Sequence, residues 1–370
     1  MTRLSGVSVA QGLAGPHNNF GLLRLVLALA VVVSHAFSVA TGRVEDEPWA
    51  QTTGFTLGEH AVNGFFAISG FLVTMSYDRR GWRDYLVSRT LRIAPGLVAA
   101  TLVVALGLGA AMTRLDLGAY LTDPQLRRFI TGTLTTFKSA SALPGVFDKN
   151  PLPFPMGTVW TLKYETLCYL GVLVGGLLGL LGRPKLALAA GGLLLAATLL
   201  REIATPDGPK GVETALRLPL IFLAGGLIYL FRDRVPLSLP GLALGLVALA
   251  LLSPTPLYKP ALYLVTAWGV LVLALAPALT RRRSEPPSDL SYGVYLYGWP
   301  IQQASHALFP AAGAMTLFWP GLLVTLAIAW LSWHLVEKPA LGLKRRLIAS
   351  EPPPPRDPRP GPTSGAAASP

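Results

Sequence analysis

Runs of apolar residues, each near the roughly twenty that a membrane-spanning helix needs, recur along almost the whole chain. Ten can be drawn, at 22–40, 60–77, 95–113, 158–181, 185–200, 213–231, 239–254, 260–279, 290–310 and 315–335. The fifth and seventh are the shortest. The pattern predicts an all-α polytopic membrane protein, a single bundle of about ten transmembrane helices. The polar residues between the runs are unevenly charged, and this sets an orientation. With the N-terminus inside, the cytoplasmic segments hold Arg79, Arg80, Arg83, Arg89 and Arg92, then Arg183 and Lys185, then Arg232 and Arg234. The triple arginine 281–283 and the cluster Lys338, Lys344, Arg345 and Arg346 also fall inside. The outer connections are poorer in Lys and Arg, so both termini are expected in the cytoplasm.

Two connections stand out. The longest runs from about Arg114 to Thr158 on the outside and carries Pro124, Pro144, Pro151, Pro153 and Pro155. A connection of that length is expected to be functional or disordered. The tail from Glu351, EPPPPRDPRPGPTSGAAASP, is Pro-rich and expected to be disordered. The expected division is a short cytoplasmic N-terminus at 1–16, a transmembrane domain at 17–340, and a basic then Pro-rich cytoplasmic tail at 341–370.

Composition supports this reading. Of 370 residues, 52% are hydrophobic and 14% charged, and the mean hydropathy is +0.50; a soluble domain carries about 25% charge. The net charge of +12 could suggest nucleic acid. Its clustering between apolar runs assigns it to topology instead, and no nucleic-acid partner is expected. A lone cysteine, Cys168, excludes an intrachain disulfide and a cysteine-built zinc site. No cleavable signal peptide is expected, because the first apolar run continues to about Phe37 with no Ala-x-Ala site.

Candidate chemistry begins in the first run, GLLRLVLALAVVVSHAF. Arg24 and His35 are eleven residues apart, almost three full turns, so they share one helix face about 16 Å apart along the axis. Ionisable groups at that depth usually mark a functional interior. His35 is either a buried histidine bonded to a neighbouring carbonyl or a general base. Neither a serine–histidine–acid order nor a metal motif accompanies it. Arg24 is either a surface anchor or, from the shared face, a holder of an anion. Arg89 and Arg92 in SRTLRIAP lie three apart, on one side of a short helix. They read as positive-inside charge or as phosphate ligands, since a planar guanidinium can make paired bonds to phosphate oxygens. Pro95 is expected to open the third helix.

In the second run, GEHAVNGFFAISGFLVT, Gly64 and Gly70 allow close helix approach and Ser69 offers a hydroxyl. His60 is expected at the interface. Glu165 in WTLKYETLCYL needs a partner or a wet cavity, and it is expected to orient an acceptor hydroxyl or a histidine. Lys163 points to another face, and Trp160 fits an aromatic belt. Tyr292, Tyr295 and Trp299 are helix-spaced, an aromatic stripe to which Tyr297 adds. In LVEKP, Glu337 and Lys338 are expected at the cytoplasmic surface, with Pro339 stopping the last helix.

Taken in order, these pieces resemble the acyltransferase-3 family of integral membrane O-acyltransferases. Arg24 and His35 match its arginine, ten residues, histidine motif; FFAISGFL (65–72) its second-helix signature; SRTLRIAP (88–95) its double-arginine motif. WTLKYE (160–165) matches its tryptophan-to-glutamate motif, and SYGVYLYGWP (291–300) with LVEKP (335–339) its last two helices. The resemblance covers about residues 17–340. Many members carry tryptophan–histidine where this chain has Tyr297-Gly298, which removes any second histidine role there. Some also carry a C-terminal esterase-like domain; here the membrane domain is expected to act alone or with a separate protein.

The resemblance implies transfer of an acyl group, typically acetyl, from cytoplasmic acyl-coenzyme A to a hydroxyl of a cell-surface or exported carbohydrate or glycolipid, in the bacterial inner membrane. It implies donor binding by Arg24, Arg89 and Arg92, and catalysis by His35, as base or as covalent carrier, with Glu165. Ser69, Trp160 and Tyr295 would complete the substrate and structural motifs. No metal is implied; membrane lipids and polysaccharide-biosynthesis proteins are the implied partners. The rival reading is a proton-coupled transporter of a sugar or lipid-linked glycan, against which stands the lack of an internal repeat. A third is an inactive scaffold, against which stand the intact Arg24, His35 and Glu165.

Overall fold

The computed structural model describes residues 7–253, 255–280 and 284–348. The triple arginine 281–283, residues 1–6 and the Pro-rich tail from Glu351 lie outside the described residues. Among the described residues the chain is all-helical apart from one isolated bridge, Ser8 to Pro236. The long helices in chain order are α1 (Phe20–Thr41), α2 (Leu57–Leu102), α3 (Trp160–Leu177), α4 (Pro184–Ala204), α5 (Lys210–Leu230), α6 (Leu239–Leu252), α7 (Tyr258–Leu275), α8 (Ser291–Leu308) and α9 (Ala314–Ser332). Each of the ten apolar runs falls on one of them. Among the described residues, six stretches are long and apolar enough to cross a membrane: Phe20–Thr41, Leu57–Met112, Pro184–Ala204, Lys210–Leu230, Tyr258–Leu275 and Ala314–Ile348. The others are short, like α6, or carry polar residues: Lys163 and Glu165 in α3, Gln302, Gln303 and His306 in α8.

Local sequence explains the helix ends. Gly42 closes α1 at φ 75°, a left-handed cap that costs glycine little. Thr56 and Glu59 form a reciprocal capping box that starts α2. The chain reverses at Gly81, φ 77° and ψ 176°, a conformation open in practice to glycine. This corrects the expected opening of a third helix at Pro95. The second limb of α2 begins directly after Gly81, and Pro95 sits inside it. A proline there removes one backbone bond, and nearby Tyr292 Oη donates to the Ile93 carbonyl at 2.9 Å.

Close approach governs the contact of α2 with α5. A Cβ added at Gly70 would stand 1.8 Å from the Phe222 carbonyl oxygen, and one at Gly225 would stand 2.2 Å from that of Ala67. Small residues at such a crossing let backbones touch. Gly64 faces Leu27 of α1 in the same manner, at 3.0 Å.

The long connection after α2 is folded. It holds helices Leu117–Thr122 and Pro124–Thr136, capped by Asp116 and Asp123. It then straps across α8: Asn150 Nδ2 donates to the carbonyl of Gln303 at 2.9 Å, and Trp299 Nε1 donates to that of Phe154 at 2.6 Å.

The last helix also departs from expectation. Pro339 does not stop it. A π-helical turn at Trp333–Glu337 resets the register, and Pro339 stands in the first turn of Lys338–Gly342, where its missing N–H costs nothing. Glu337 is not at the surface but 3% exposed, accepting from Ser332 Oγ at 2.9 Å.

Candidate active site

A cleft lies between α1, α2, α3 and α8. It gathers Arg24 from α1, Ser69, Arg89 and Arg92 from the two limbs of α2, Glu165 and Tyr169 from α3, and Tyr292 and Tyr295 from α8. Seven residues singled out in the sequence therefore meet in one place, although up to 271 positions separate them. The reversal at Gly81 is what turns the second limb of α2, with Arg89 and Arg92, back against Ser69 of the first. The remaining wall is apolar, with Phe65, Ile68 and Leu72 from one face of α2.

One end of the cleft is cationic. Arg24 and Arg92 each place a terminal nitrogen 2.9 Å from the same oxygen, Oδ2 of Asp289. Burial pushes the Asp289 carboxyl up, but Arg92 and then Arg24, with hydrogen bonds from Ser291, outweigh it and hold the group below its ordinary 3.8. Ser291 Oγ donates to the other oxygen at 2.7 Å. Arg89 makes no ion pair among the described residues; its guanidinium lies over the Tyr169 ring at 5.7 Å. Nε of Arg24 and Nε of Arg89 are buried without a hydrogen-bond partner. Buried donors left open in a cationic cleft are what an anionic ligand would fill.

Further along, Glu165 Oε1 accepts from Tyr169 Oη and from Ser69 Oγ, the latter at 3.4 Å. Lys163 does not pair with it. Tyr295 Oη is held by α3, bonded to the carbonyl of Thr158 and lying 2.8 Å from Thr161 Oγ1.

His35 does not line this cleft. It sits farther along α1, its ring meeting the edge of Trp299 at 5.0 Å and 85°. Trp299 in turn stacks on Phe154 of the strap, at 6.4 Å and 8°. No side-chain hydrogen bond ties His35 to a neighbouring carbonyl among the described residues. Trp160 is also outside the cleft and packs edge-on against Tyr164. His60 is tied to Thr53 Oγ1 at 2.8 Å and packed by Trp49 and Phe55. At the departure Tyr297-Gly298, the glycine faces Val32 of α1: a Cβ would stand 2.7 Å from Val32 Cγ2, so α8 is drawn close to α1 beside His35.

Some polar residues of the interior gave no motif. Asp289 stands just ahead of SYGVYLYGWP, and the signal for it was the need of two half-buried arginines for a counter-charge. Arg217, fully buried in α5, has its Nε 2.8 Å from Glu213 and donates to Asn63 Oδ1 at 2.7 Å. An i,i+4 Glu–Arg pair inside an apolar run was its signal.

Comparison with known proteins identifies the family. The acyltransferase-3 family model, described as an acyltransferase domain, matches residues 17–334. Nodulation protein 10 of Rhizobium leguminosarum bv. viciae is 30% identical, over 91% of this chain and 96% of that protein. An O-acetyl transferase of Shigella phage Sf6 is 27% identical, over 87% and 95%. The exopolysaccharide production protein ExoZ of Rhizobium meliloti (strain 1021) is 28% identical, over 81% and 96%. No solved structure matches the chain. With the family model spanning most of its length, the chain belongs to the acyltransferase-3 family and is an integral-membrane acyltransferase.

Proposed function

We propose that residues 17–340 form a ten-span O-acyltransferase of the bacterial inner membrane, with the segments 1–16 and 341–370 in the cytoplasm. It moves an acetyl group from cytoplasmic acetyl-coenzyme A to a hydroxyl of a cell-surface or exported carbohydrate. The observation that carries this reading is the cleft itself, with three arginines at one end and two of their buried nitrogens open. An O-acetyl transferase among the relatives supports oxygen as the acylated atom, and an exopolysaccharide production protein supports a carbohydrate acceptor. Membrane lipids surround the bundle, and polysaccharide-biosynthesis proteins deliver or take up the acceptor.

Arg24, Arg89 and Arg92 bind the donor's phosphates by charge-assisted bonds, and the donor's arm runs along the apolar wall toward His35. Glu165, with Ser69 and Tyr169, orients the substrates within the cleft. The acceptor hydroxyl gives its proton to His35; its oxygen bonds to the acyl carbon as the carbon–sulfur bond breaks. The thiolate leaves and takes the proton from the imidazolium, which restores neutral His35.

Inside-out vesicles from cells expressing the chain, fed radiolabelled acetyl-coenzyme A, test this. Label is expected in the alkali-labile acetate of the envelope glycan. His35→Ala should lower it about 100-fold or more at equal protein level. Unchanged labelling by that variant overturns the assignment of His35. Labelling only from donor supplied to the outer face overturns the topology.

A further inference from the structure

The cleft stops one turn short of His35. On α8 its lining ends at Tyr295, and four residues on Trp299 meets the His35 ring. On the α3 side it ends at Thr161, and four residues earlier Gly157 lies against the indole of Trp299. On α2 it ends at Val62. Four residues earlier the Gly58 N–H donates at 2.8 Å to Oγ of Ser34, the residue before His35. Residues four apart on a helix share a face. Tyr295 therefore occupies the turn of α8 between the cleft and the indole that packs on His35.

Tyr295 is pinned there. Its hydroxyl donates to the Thr158 carbonyl and lies 2.8 Å from Thr161 Oγ1, and Thr158 Oγ1 donates back to the Tyr295 carbonyl at 3.2 Å. Its ring stacks on Tyr292 at 6.4 Å and 11°, and Tyr292 is itself held by the Ile93 carbonyl. Swinging the phenol aside breaks bonds made inside the protein, where a lost partner is costly. The space beyond the ring is closed as well. A Cβ at Gly157 would stand 2.4 Å from Trp299 Cε2, and one at Gly298 would stand 2.7 Å from Val32 Cγ2. One added methyl group has no room at either place. The Tyr295 ring is the bulk that a longer acyl chain would have to displace on its way from the cleft to His35.

We propose that Tyr295 sets the size of the donor's acyl group, restricting the chain to short acyl thioesters of the acetyl class. The inference rests on the donor lying in the cleft and on transfer taking place at His35. For the acyl carbon to meet the acceptor oxygen there, the thioester passes the pinned ring with its acyl group leading. Two carbons pass, and each further methylene meets the phenol.

Membrane vesicles fed acetyl- or butyryl-coenzyme A, each radiolabelled in the acyl group, test this. The parent's kcat/KM for the butyryl donor should fall about tenfold or more below that for the acetyl donor, the usual scale for excess methylenes in a shaped site. Tyr295→Ala should raise the butyryl-to-acetyl ratio about tenfold or more at equal immunoblotted protein. A purely structural loss lowers both rates together and leaves the ratio alone. Tyr295→Phe keeps the ring and should hold the ratio within about threefold of the parent's. If Tyr295→Ala fails to accumulate, Tyr295→Leu, which also removes the ring, should move the ratio in the same direction. Equal use of the two donors by the parent overturns this inference and leaves the transferase standing. So does a ratio that Tyr295→Ala leaves unchanged, or that Tyr295→Phe moves as far as Tyr295→Ala. A parent that transfers label from neither donor overturns the proposed function, and this inference with it.

Discussion

Arg24 and Arg92, 68 positions apart, each place a terminal nitrogen 2.9 Å from the same carboxylate oxygen, Oδ2 of Asp289. Two guanidinium groups so close would repel without that oxygen between them. The single carboxylate of Asp289 offsets one of the three arginine charges. Asp289 thereby sets the spacing of these two guanidinium groups.

Removing that charge should therefore be costly near neutral pH. Asp289→Asn is expected to destabilise the detergent-solubilised protein by roughly 3 kcal/mol, the usual scale for breaking a buried pair. The sign of its pH dependence follows from the carboxyl being held below 3.8. Its stabilisation is present above the ordinary carboxylate range and is lost as pH falls through the depressed folded value. The gap in thermal midpoint between parent and variant should be full at pH 6 and narrow below about pH 4. A gap that is constant or widens on acidification would refute the role given to Asp289.

Arg89 should behave differently. With no ion pair among the described residues and Nε unpartnered, it is held by stacking on Tyr169. Arg89→Ala is expected to leave the amount of folded protein unchanged and to raise the KM for acetyl-coenzyme A about tenfold or more. That is the worth of one charge-assisted bond of roughly 1.5–3 kcal/mol. Arg89→Lys should recover only part, because an ammonium cannot make the paired bond. Michaelis curves in membrane vesicles decide it, and an unchanged KM would remove Arg89 from the donor site.

These assignments show what could be read before the fold. The apolar runs located the helices, since each must satisfy its backbone internally. The spacing of Arg24 and His35 held because α1 runs unbroken from Phe20 to Thr41. What failed lay at punctuation. Proline was read as a boundary at 95 and 339, yet Gly81 and a π turn do that work, and a π turn leaves no mark in single-residue preferences. Partners were harder still. Asp289 and Glu337 are ordinary surface residues by composition, and only their partners in the fold show that the first is half-buried between two arginines and the second buried against Ser332.

The crossing of α2 and α5 is a further test. A valine at position 70 would drive its side chain into the Phe222 carbonyl, where even a Cβ stands 1.8 Å away. Backbone cannot yield as a side-chain tip can. Gly70→Val should lower the thermal midpoint and the yield of folded protein. Gly171→Val, in α3 where a Cβ meets nothing within 4 Å, should not. Equal tolerance of the two would show that the helices are not in backbone contact.

The Arg217 cluster separates folding from catalysis. Its guanidinium lies 2.8 Å from Glu213, 2.7 Å from Asn63 and 3.6 Å from Glu59, and over the Phe55 ring at 4.9 Å. Tyr263 Oη closes the set by donating to Glu213 at 2.8 Å. Arg217→Leu strands two carboxylates, one of them buried, and should cost roughly 3–5 kcal/mol. Removing Glu213 as well takes away the most deeply buried of those charges. The double variant Glu213→Leu, Arg217→Leu should therefore have a higher thermal midpoint than Arg217→Leu alone, and the material that folds should keep the parent's KM for acetyl-coenzyme A. A double variant no more stable than the single would mean that Arg217 acts through something other than its pairing with Glu213.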